Sequence, residues 1–361
     1  MPSDRPDAGA TAYDNAFVCY TVQNYLKALY LAYRRYEEGE RSKILALFYR
    51  GTAEPSCLDG GPVFWADVEH VPHANRYVRI LERDRTRPLV YLTKVVEKTF
   101  LRVVRSFKRA ERALVLRAVE GAGKVHLFLE GTYFSSVLLK RRTCTLVEEG
   151  LTTYRPYGRP ARFAGEHENV AEVLLQHPEK ACEAVRRKAQ RLELRYDRLP
   201  SEVRHALLGL FGVETFRRRP RTAILVGQAW SCSSVTLEDV LELYGRIAHA
   251  LTSRGYAVVL KPHPIEDRRR YARIGCRMLE PRIPLGVFDL MDDPRPFDVA
   301  VSILGSSVAD SARLARTVVS FVPGDTVVED VTSPMLEEVR SRVDGVLAAA
   351  LDGSPATPRD P

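Results

Sequence analysis

Val258-Val259-Leu260-Lys261-Pro262-His263-Pro264 is an apolar run that ends in a lysine, a histidine and two prolines. An apolar run of this kind is typical of a buried parallel strand, and the prolines would stop the strand from continuing. Parallel strands carry whatever follows them to the carboxyl edge of the sheet, where α/β proteins bind their ligands. The segment therefore predicts a binding role for Lys261 and His263, and the alternative is an ordinary solvated strand end.

Similar apolar runs, interleaved with segments of helical periodicity, occur along the chain. They include residues 16–20, 43–49, 124–130, 144–147, 223–228, 298–304 and 318–322. Strands that alternate with helices indicate an α/β protein with parallel sheets. We therefore predict two Rossmann-like domains whose parallel sheets face a central cleft.

Breaks in this pattern predict the domain boundaries. We expect an N-terminal α/β domain at 13–198, a linker at 199–220 that contains an arginine run, and a C-terminal α/β domain at 221–351. Residues 1–12 are polar and residues 352–361 are rich in proline, so both segments are predicted to be flexible tails.

The composition favours an anionic partner. The net charge is +8 at neutral pH, which suits a nucleotide, a phosphate, an acidic glycan or an anionic lipid. The sequence has no zinc-finger, RNP-type or glycine-rich RNA-binding motif, so no nucleic acid partner is predicted. The six cysteines are scattered without a CxxC pair, which favours a reducing compartment over a disulfide framework or a zinc site.

The sequence also bears on the expected location. It shows no apolar leader after Met1 and no apolar run long enough to span a bilayer, which predicts a cytoplasmic protein. Basic residues dominate a predicted amphipathic helix at 95–119. A solvated surface helix is one interpretation, and peripheral contact with an anionic membrane, on its inner face, is the other.

Two further motifs follow predicted strands. Glu148-Glu149-Gly150 would place one carboxylate at the sheet edge, where burial or a neighbouring charge would raise its pKa toward a value useful for a general base. Gly305-Ser306-Ser307 lies between a strand and a helix, where backbone N–H groups and hydroxyls can hold a phosphate. The alternatives are a polar strand end for the first motif and a helix N-cap for the second.

The order of these motifs resembles that of bacterial sialyltransferases, in particular the lipooligosaccharide sialyltransferase and polysialyltransferase families. Those families share an acidic-acidic-glycine motif, an HP motif and a paired-serine motif on a GT-B fold. Here the corresponding residues are Glu148-Glu149-Gly150, His263-Pro264 and Ser306-Ser307. The resemblance covers most of the chain in layout and a small number of residues in identifiable motif.

The resemblance implies a role for each motif residue. Glu149 would be the general base on the acceptor hydroxyl, and Glu148 a supporting carboxylate or the second candidate for that base. His263 would contact the donor phosphate and help it to leave. The other residues expected to bind the donor nucleotide or phosphate are Lys261, Pro264, Gly305, Ser306 and Ser307, and those expected near the donor or acceptor are Thr21, Gln23, Gln228 and Glu280.

The implied activity is an inverting transfer of sialic acid, or a related nonulosonic acid, from a CMP-activated donor to a glycan or another hydroxyl acceptor. A donor with a single phosphate can be stabilised by an imidazolium, hydroxyls and a helix N-terminus. We therefore expect no metal ion and no cofactor apart from the CMP-sugar donor. The alternatives are a transferase that uses CMP-Kdo or a UDP-sugar, a UDP-sugar epimerase, and a non-catalytic nucleotide-binding protein.

Two positions depart from the family pattern or duplicate it. Gly286 stands where related enzymes carry a glutamate that holds the ribose, and Glu280 is the nearby candidate to replace it. His177-Pro178 is a second HP pair, but residues 167–195 are predicted to be largely helical. We therefore expect this second pair not to follow a strand and not to form a site.

Overall fold

The computed structural model describes residues 13–48, 63–71, 112–154, 156, 162–214, 216, 219–228, 230, 235–264, 266–292, 295–304, 314–322 and 332–351. Along this chain two compact units meet at a boundary between Arg195 and Tyr196. Each unit is built on its own β-sheet, and the strand pairs in both sheets are parallel. The predicted α/β class with two parallel sheets is therefore confirmed.

The sheet of the first unit has seven strands in the order β3-β2-β1-β4-β5-β6-β7. Their bounds are β1 Tyr13–Cys19, β2 Ser42–Ala46, β3 Asp67–His70, β4 Ala122–Leu127, β5 Cys144–Val147, β6 Val170–Leu175 and β7 Ala189–Arg191. The central strands are apolar on both faces because helices cover both sides of a parallel sheet. The strand order reverses between β1 and β4, which is the switch point where such sheets bind ligands.

Helices connect these strands. The long helix α1 spans Val22–Glu37, and shorter helices span Tyr133–Leu139 and Glu183–Arg186, with 3-10 helices at Leu151–Tyr154 and Pro178–Lys180. Residues 112–120 are also helical. They are the C-terminal end of the predicted basic helix, whose remainder at 95–111 lies outside the described residues.

The prediction that residues 167–195 are largely helical is wrong. The segment contains strands β6 and β7, joined by the two short helical turns at Pro178–Lys180 and Glu183–Arg186. Buried Val170, Val173 and Leu175 have the mixed spacing that a short strand shares with a helical turn. Periodicity alone cannot separate the two in so short a run.

The sheet of the second unit has five strands in the order β10-β9-β8-β11-β12. Their bounds are β8 Thr222–Val226, β9 Ala257–Lys261, β10 Arg277–Met278, β11 Phe297–Leu304 and β12 Ala315–Val322. Its helices span Ser201–Leu210, Leu237–Ser253 and Ser333–Leu351, and 3-10 helices span Tyr196–Arg198, Arg268–Ile274 and Leu285–Leu290. The order reverses between β8 and β11, which is the switch point of this sheet.

The segment predicted as a linker, 199–220, carries the helix Ser201–Leu210 and belongs to the second unit. Val203 and Leu207 of this helix are fully buried. Both predicted tails lie outside the described residues. None of the helices in the described ranges is long and apolar enough to cross a membrane.

Each unit buries one tryptophan. In the first unit Trp65 donates its indole N–H to the carbonyl of Leu29 on α1, at 3.1 Å. In the second unit Trp230 donates its indole N–H to the hydroxyl of Tyr244, at 2.9 Å. Both indoles thus satisfy their polar atom within their own core, as buried tryptophans usually do.

Candidate functional site

The predicted site residues that are described lie largely at the carboxyl edges of the two sheets. Glu148-Glu149-Gly150 directly follows β5 in the first unit. Lys261 is the last residue of β9 in the second unit, and Pro262, His263 and Pro264 follow it in a turn. The strand therefore stops where the prolines predict that it must.

Glu148 is fully buried, and both of its carboxylate oxygens accept hydrogen bonds. It accepts hydrogen bonds from the hydroxyl of Tyr154, from the backbone N–H of Gln176 at 2.6 Å and from the side-chain amide of Gln176 at 2.8 Å. Burial and the neighbouring Glu148 raise the pKa of Tyr154, so its phenol stays protonated and donates. These bonds make Glu148 an anchor that joins the ends of β5 and β6.

Glu149 is only partly buried, and the pKa of its carboxyl is raised. Burial raises the pKa of its carboxyl to about 7, while the charge of Lys27 and the amide of Asn24 oppose that rise. A carboxylate with a pKa near the working pH is suited to general base catalysis. The two adjacent glutamates thus differ in their surroundings: Glu148 is held by Tyr154 and Gln176, and Glu149 has a pKa near neutral pH.

Sequence reasoning missed Lys27 and Asn24, which lie on α1. The ammonium of Lys27 donates to the carbonyl of Glu148 and to the carbonyl of Glu149, both at 2.9 Å. The side-chain oxygen of Asn24 accepts a hydrogen bond from the backbone N–H of Tyr20 at 3.3 Å. Its buried Nδ2 has no hydrogen-bond partner within the described residues. The one available signal was a lysine inside an apolar helical run, Tyr25-Leu26-Lys27-Ala28-Leu29.

The two residues predicted from the sequence at the start of α1 make no hydrogen bond to the acidic pair among the described residues. Thr21 is the N-cap, and its hydroxyl accepts the N–H of Asn24 at 3.1 Å. Gln23 is partly exposed in the first turn of the helix. Thr21 thus contributes to the site by starting the helix that carries Lys27.

In the second unit, Lys261 holds the turn that carries His263. Its ammonium is buried and donates to the carbonyls of Pro262 at 2.8 Å and Pro281 at 2.7 Å. Burial lowers the pKa of Lys261 to about 7. The pKa of partly buried His263 is lowered to about 4, by burial first and then by the charge of Lys261, so the imidazole is neutral at neutral pH.

A glycine lets the end of β8 approach this turn. The N–H of Gly227 donates to the carbonyl of Lys261 at 2.7 Å. A Cβ at position 227 would lie 3.0 Å from the backbone N of His263 and from the carbonyl of Lys261. Because both neighbours are backbone atoms, they cannot move aside as a side chain would.

Gln228 lies at the switch point of the second sheet. Its side-chain amide donates to the hydroxyl of Ser302 on β11 at 3.0 Å, and its backbone N–H donates to the hydroxyl of Tyr244 at 3.2 Å. Strand β11 ends at Leu304, and the predicted phosphate-binding residues Gly305, Ser306 and Ser307 lie outside the described residues.

The remaining predicted positions lie elsewhere. Glu280 forms an ion pair with Arg268 at the surface of the second unit. Gly286 lies in the 3-10 helix Leu285–Leu290. Within the described ranges, no group of three or more His, Cys, Asp or Glu side chains could bind a metal ion.

The prediction that His177-Pro178 does not follow a strand is wrong. His177 comes two residues after the end of β6, which pairs with β5, the strand that Glu148 and Glu149 follow. The backbone N–H of His177 donates to the hydroxyl of Tyr154 at 2.9 Å, and Tyr154 in turn donates to Glu148. The backbone of this second HP pair therefore supports the anchor of the acidic pair.

A comparison with solved structures finds similar chains at low identity. They include a sialyltransferase from Photobacterium damselae, described as its GT-B domain, with 9% identity, 92% of this chain and 95% of that chain covered, and a TM-score of 0.47. A putative UDP-N-acetylglucosamine 2-epimerase from Listeria monocytogenes has 14% identity, coverages of 94% and 88%, and a TM-score of 0.48. ADP-heptose LPS heptosyltransferase II from E. coli has 11% identity, coverages of 94% and 99%, and a TM-score of 0.41. At these scores the likenesses do not separate a transferase from an epimerase.

No curated protein matches the amino-acid sequence. A family model does match it. The sequence model of the alpha-2,8-polysialyltransferase (POLYST) family matches residues 77–275, which is more than half of the chain. The matched range contains both Glu148-Glu149-Gly150 and His263-Pro264, so it agrees with the resemblance inferred from those motifs. The chain therefore belongs to the alpha-2,8-polysialyltransferase family of glycosyltransferases.

Proposed function

We propose that this glycosyltransferase moves sialic acid, or a related nonulosonic acid, from a CMP-activated donor to a hydroxyl of a glycan acceptor. We further propose a GT-B-type fold, inversion at the anomeric carbon, and a reaction without a metal ion. The observation that carries the proposal is Glu149, a carboxyl with a pKa of about 7 at the carboxyl edge of a parallel sheet. Membership of a polysialyltransferase family supports a sialic acid donor and a glycan acceptor.

Glu149 is proposed as the general base. Its carboxylate takes the proton of the acceptor hydroxyl while the acceptor oxygen forms a bond to the anomeric carbon. The bond between that carbon and the phosphate oxygen breaks, and its electron pair leaves with CMP. Glu148 does not serve this purpose in the proposal, because its oxygens are occupied by Tyr154 and Gln176.

His263 is proposed to bind the donor phosphate. The imidazole is neutral before the donor binds, because burial and Lys261 lower its pKa to about 4. A nearby phosphate would favour the imidazolium, since an opposite charge within a few ångströms raises the pKa of a histidine. Donor binding is thus expected to take up a proton, and the resulting cation would stabilise the departing phosphate.

The other donor-site assignments are extensions of the family resemblance. Lys261 is proposed to act through the turn that it holds, since its ammonium is bonded to two carbonyls. Ser306 and Ser307 are proposed to donate hydroxyl hydrogen bonds to the phosphate. Glu280 is tied to Arg268, so it is available to the ribose only if that ion pair opens.

The first experiment is calorimetric titration of the protein with CMP, with UDP as the comparison. We expect CMP to bind and His263→Ala to weaken that binding at least tenfold. Titration in buffers of different ionisation enthalpy should show proton uptake at pH 7 in the unaltered protein and none in the variant. Equal binding of CMP by His263→Ala would contradict the assignment of the phosphate site.

The alternative donors are CMP-Kdo and UDP-sugars. They stay open because Gly286 replaces the expected ribose-binding glutamate and Glu280 is paired with Arg268. Preferential binding of UDP would favour the second donor class. Binding of neither nucleotide, together with no turnover, would favour a non-catalytic protein. A cytoplasmic location is also proposed, and the basic residues of 95–119 support peripheral contact with the inner membrane face.

A further inference from the structure

Lys27 is a buried cation that the chemistry above does not use. It lies in the second turn of α1 with 3% of its surface exposed. Taking an ammonium out of water costs several kcal/mol unless hydrogen bonds compensate, and a methionine would fill similar space without that cost. A lysine at this position therefore calls for a reason beyond packing.

Two hydrogen bonds of Lys27 lie on either side of the Glu149 Cα. The ammonium binds the carbonyls of Glu148 and Glu149 at 2.9 Å each, so it grips the backbone on both sides of the Glu149 Cα. The N–H of Glu149 is held as well, by the hydroxyl of Thr153 at 3.2 Å. The backbone that directs the Glu149 side chain is therefore fixed at every polar atom, and two of the three bonds come from Lys27.

We propose that Lys27 is a positioning residue for Glu149: from helix α1 it fixes the backbone that aims the carboxylate, and its positive charge favours the ionised form of that carboxylate. The inference rests on the proposed function, in which Glu149 is the general base. It adds a role for α1, an element that carries none of the family motifs. Asn24, one turn earlier on the same helix, is the second group of α1 that faces Glu149.

The charges around Glu149 determine the direction of the effect. Lys27 on α1 is the cation that opposes the rise in the Glu149 pKa, and Asn24 contributes in the same direction. Glu148, on the same loop, is bonded to Tyr154 and Gln176. Without the ammonium, burial would act with less opposition, and the pKa of Glu149 would rise further.

The experiment is a carbon-detected NMR titration of the Glu149 side-chain carboxyl in the unaltered full chain and in Lys27→Met. We expect the pKa of Glu149 to rise by about one unit or more in the variant, as removal of a nearby opposite charge predicts. The acid limb of the pH profile of kcat/KM should move upward by the same amount. Lys27→Arg keeps the charge and should restore both values to within a few tenths of a unit.

Lys188 provides a matched control in the same unit. Its ammonium also donates to two backbone carbonyls, those of Gly165 at 3.3 Å and His167 at 3.1 Å, but it has no contact with the acidic pair. Lys188→Met should therefore lower stability without changing the pKa of Glu149. If Lys27→Met does not fold, Lys27→Gln removes the charge, keeps a donor and gives the same test.

Two outcomes overturn the inference. One is an unchanged Glu149 pKa in Lys27→Met or Lys27→Gln, and the other is an equal change in Lys188→Met. The titration needs no substrate, so its result does not depend on the proposed reaction. If the unaltered protein showed no CMP binding or no turnover, the proposed function would be contradicted. The effect of Lys27 on the pKa of Glu149, measured by NMR, would still stand.

Discussion

The carboxyl edges of the two sheets share one arrangement of residues, but the charges of those residues differ. At each edge a buried charged residue anchors the chain, Glu148 in the first unit and Lys261 in the second, and a partly buried titratable group follows. Burial favours the neutral form of both titratable groups, Glu149 and His263. The neighbouring charge is a lysine at both edges and lowers both pKa values, so Lys27 opposes the effect of burial on the acid Glu149 whereas Lys261 adds to it at the base His263. The pKa of Glu149 is therefore close to neutral pH, and the pKa of His263 lies well below neutral pH.

This comparison explains why the two groups suit different tasks. A base that must accept a proton in every turnover works best with a pKa near the ambient pH, as Glu149 has. A group that must respond to an arriving phosphate does better in the neutral form, because the anion then changes its charge. The two edges thus differ in the type of titratable group, an acid at one and a base at the other, beside the same kind of cation.

The most severe test of the comparison is Glu149→Gln. The amide keeps the shape of the side chain but cannot take a proton, so we expect kcat for sialyl transfer to fall by about 10²- to 10⁴-fold. Thermal unfolding should show that the variant is folded. A kcat within threefold of the unaltered protein would remove Glu149 from the role of base.

Glu148→Ala tests the anchor of the first edge. It leaves the hydroxyl of Tyr154 and the N–H of Gln176 without their acceptor in a buried place. Unsatisfied buried groups cost about 1–3 kcal/mol each, so the free energy of unfolding should fall by about 3 kcal/mol. Urea denaturation measures this loss, with Glu149→Gln as the control that should show little of it. Equal losses in the two variants would contradict the division into anchor and base.

Gly227→Ala tests the packing of the second edge. The added methyl group would press on the backbone of Lys261 and His263, and overpacking of this kind costs about 1–3 kcal/mol. Gly245→Ala is the matched control, because Gly245 lies in the helix Leu237–Ser253 with open space around its Cβ position. That control should be neutral or stabilising by about 0.5–1 kcal/mol. Urea denaturation of both variants checks the sign of each change.

The two edges should also show an opposite pH dependence of stability. The folded-state pKa of Glu149 lies above its ordinary value of 4.5, so its contribution is complete below pH 4.5 and is lost as the pH rises through 7. The folded-state pKa of His263 lies below its ordinary value of 6.5, so its contribution is complete above pH 6.5 and is lost as the pH falls through 4.

Thermal melts between pH 4 and 7.5 can measure these two slopes. The stability of the unaltered protein relative to Glu149→Gln should fall with rising pH, and relative to His263→Ala it should rise. The pKa of Glu149 moves from 4.5 to about 7 and that of His263 from 6.5 to about 4, so each change should be on the order of 1–3 kcal/mol. If stability changed with pH in the same direction relative to both variants, the opposite pKa shifts of Glu149 and His263 would be contradicted.

The sequence was sufficient for features that depend on local pattern. Strand β9 and its end at Lys261 were predictable, because an apolar run met a proline that cannot extend a strand. The placement of Glu148 and Glu149 after β5 followed from similar reasoning. The parallel α/β class followed from the alternation of strands and helices.

The sequence was insufficient where function depends on contacts distant along the chain. Lys27 binds carbonyls 121 and 122 residues away, and no local pattern reveals such a partner. The division of labour between Glu148 and Glu149 is likewise set by Gln176 at the end of another strand. His177-Pro178 was misplaced because β6 is short and its apolar spacing is ambiguous.

The placement of the two tryptophans gives the protein a built-in pair of optical reporters. The chain has two tryptophans, and each is buried in a different unit, Trp65 beside α1 and Trp230 against Tyr244. In Trp65→Phe the indole fluorescence reports on the second unit alone, and in Trp230→Phe on the first. Fluorescence-detected unfolding of the two variants would then show whether the units melt as one cooperative block or in separate transitions.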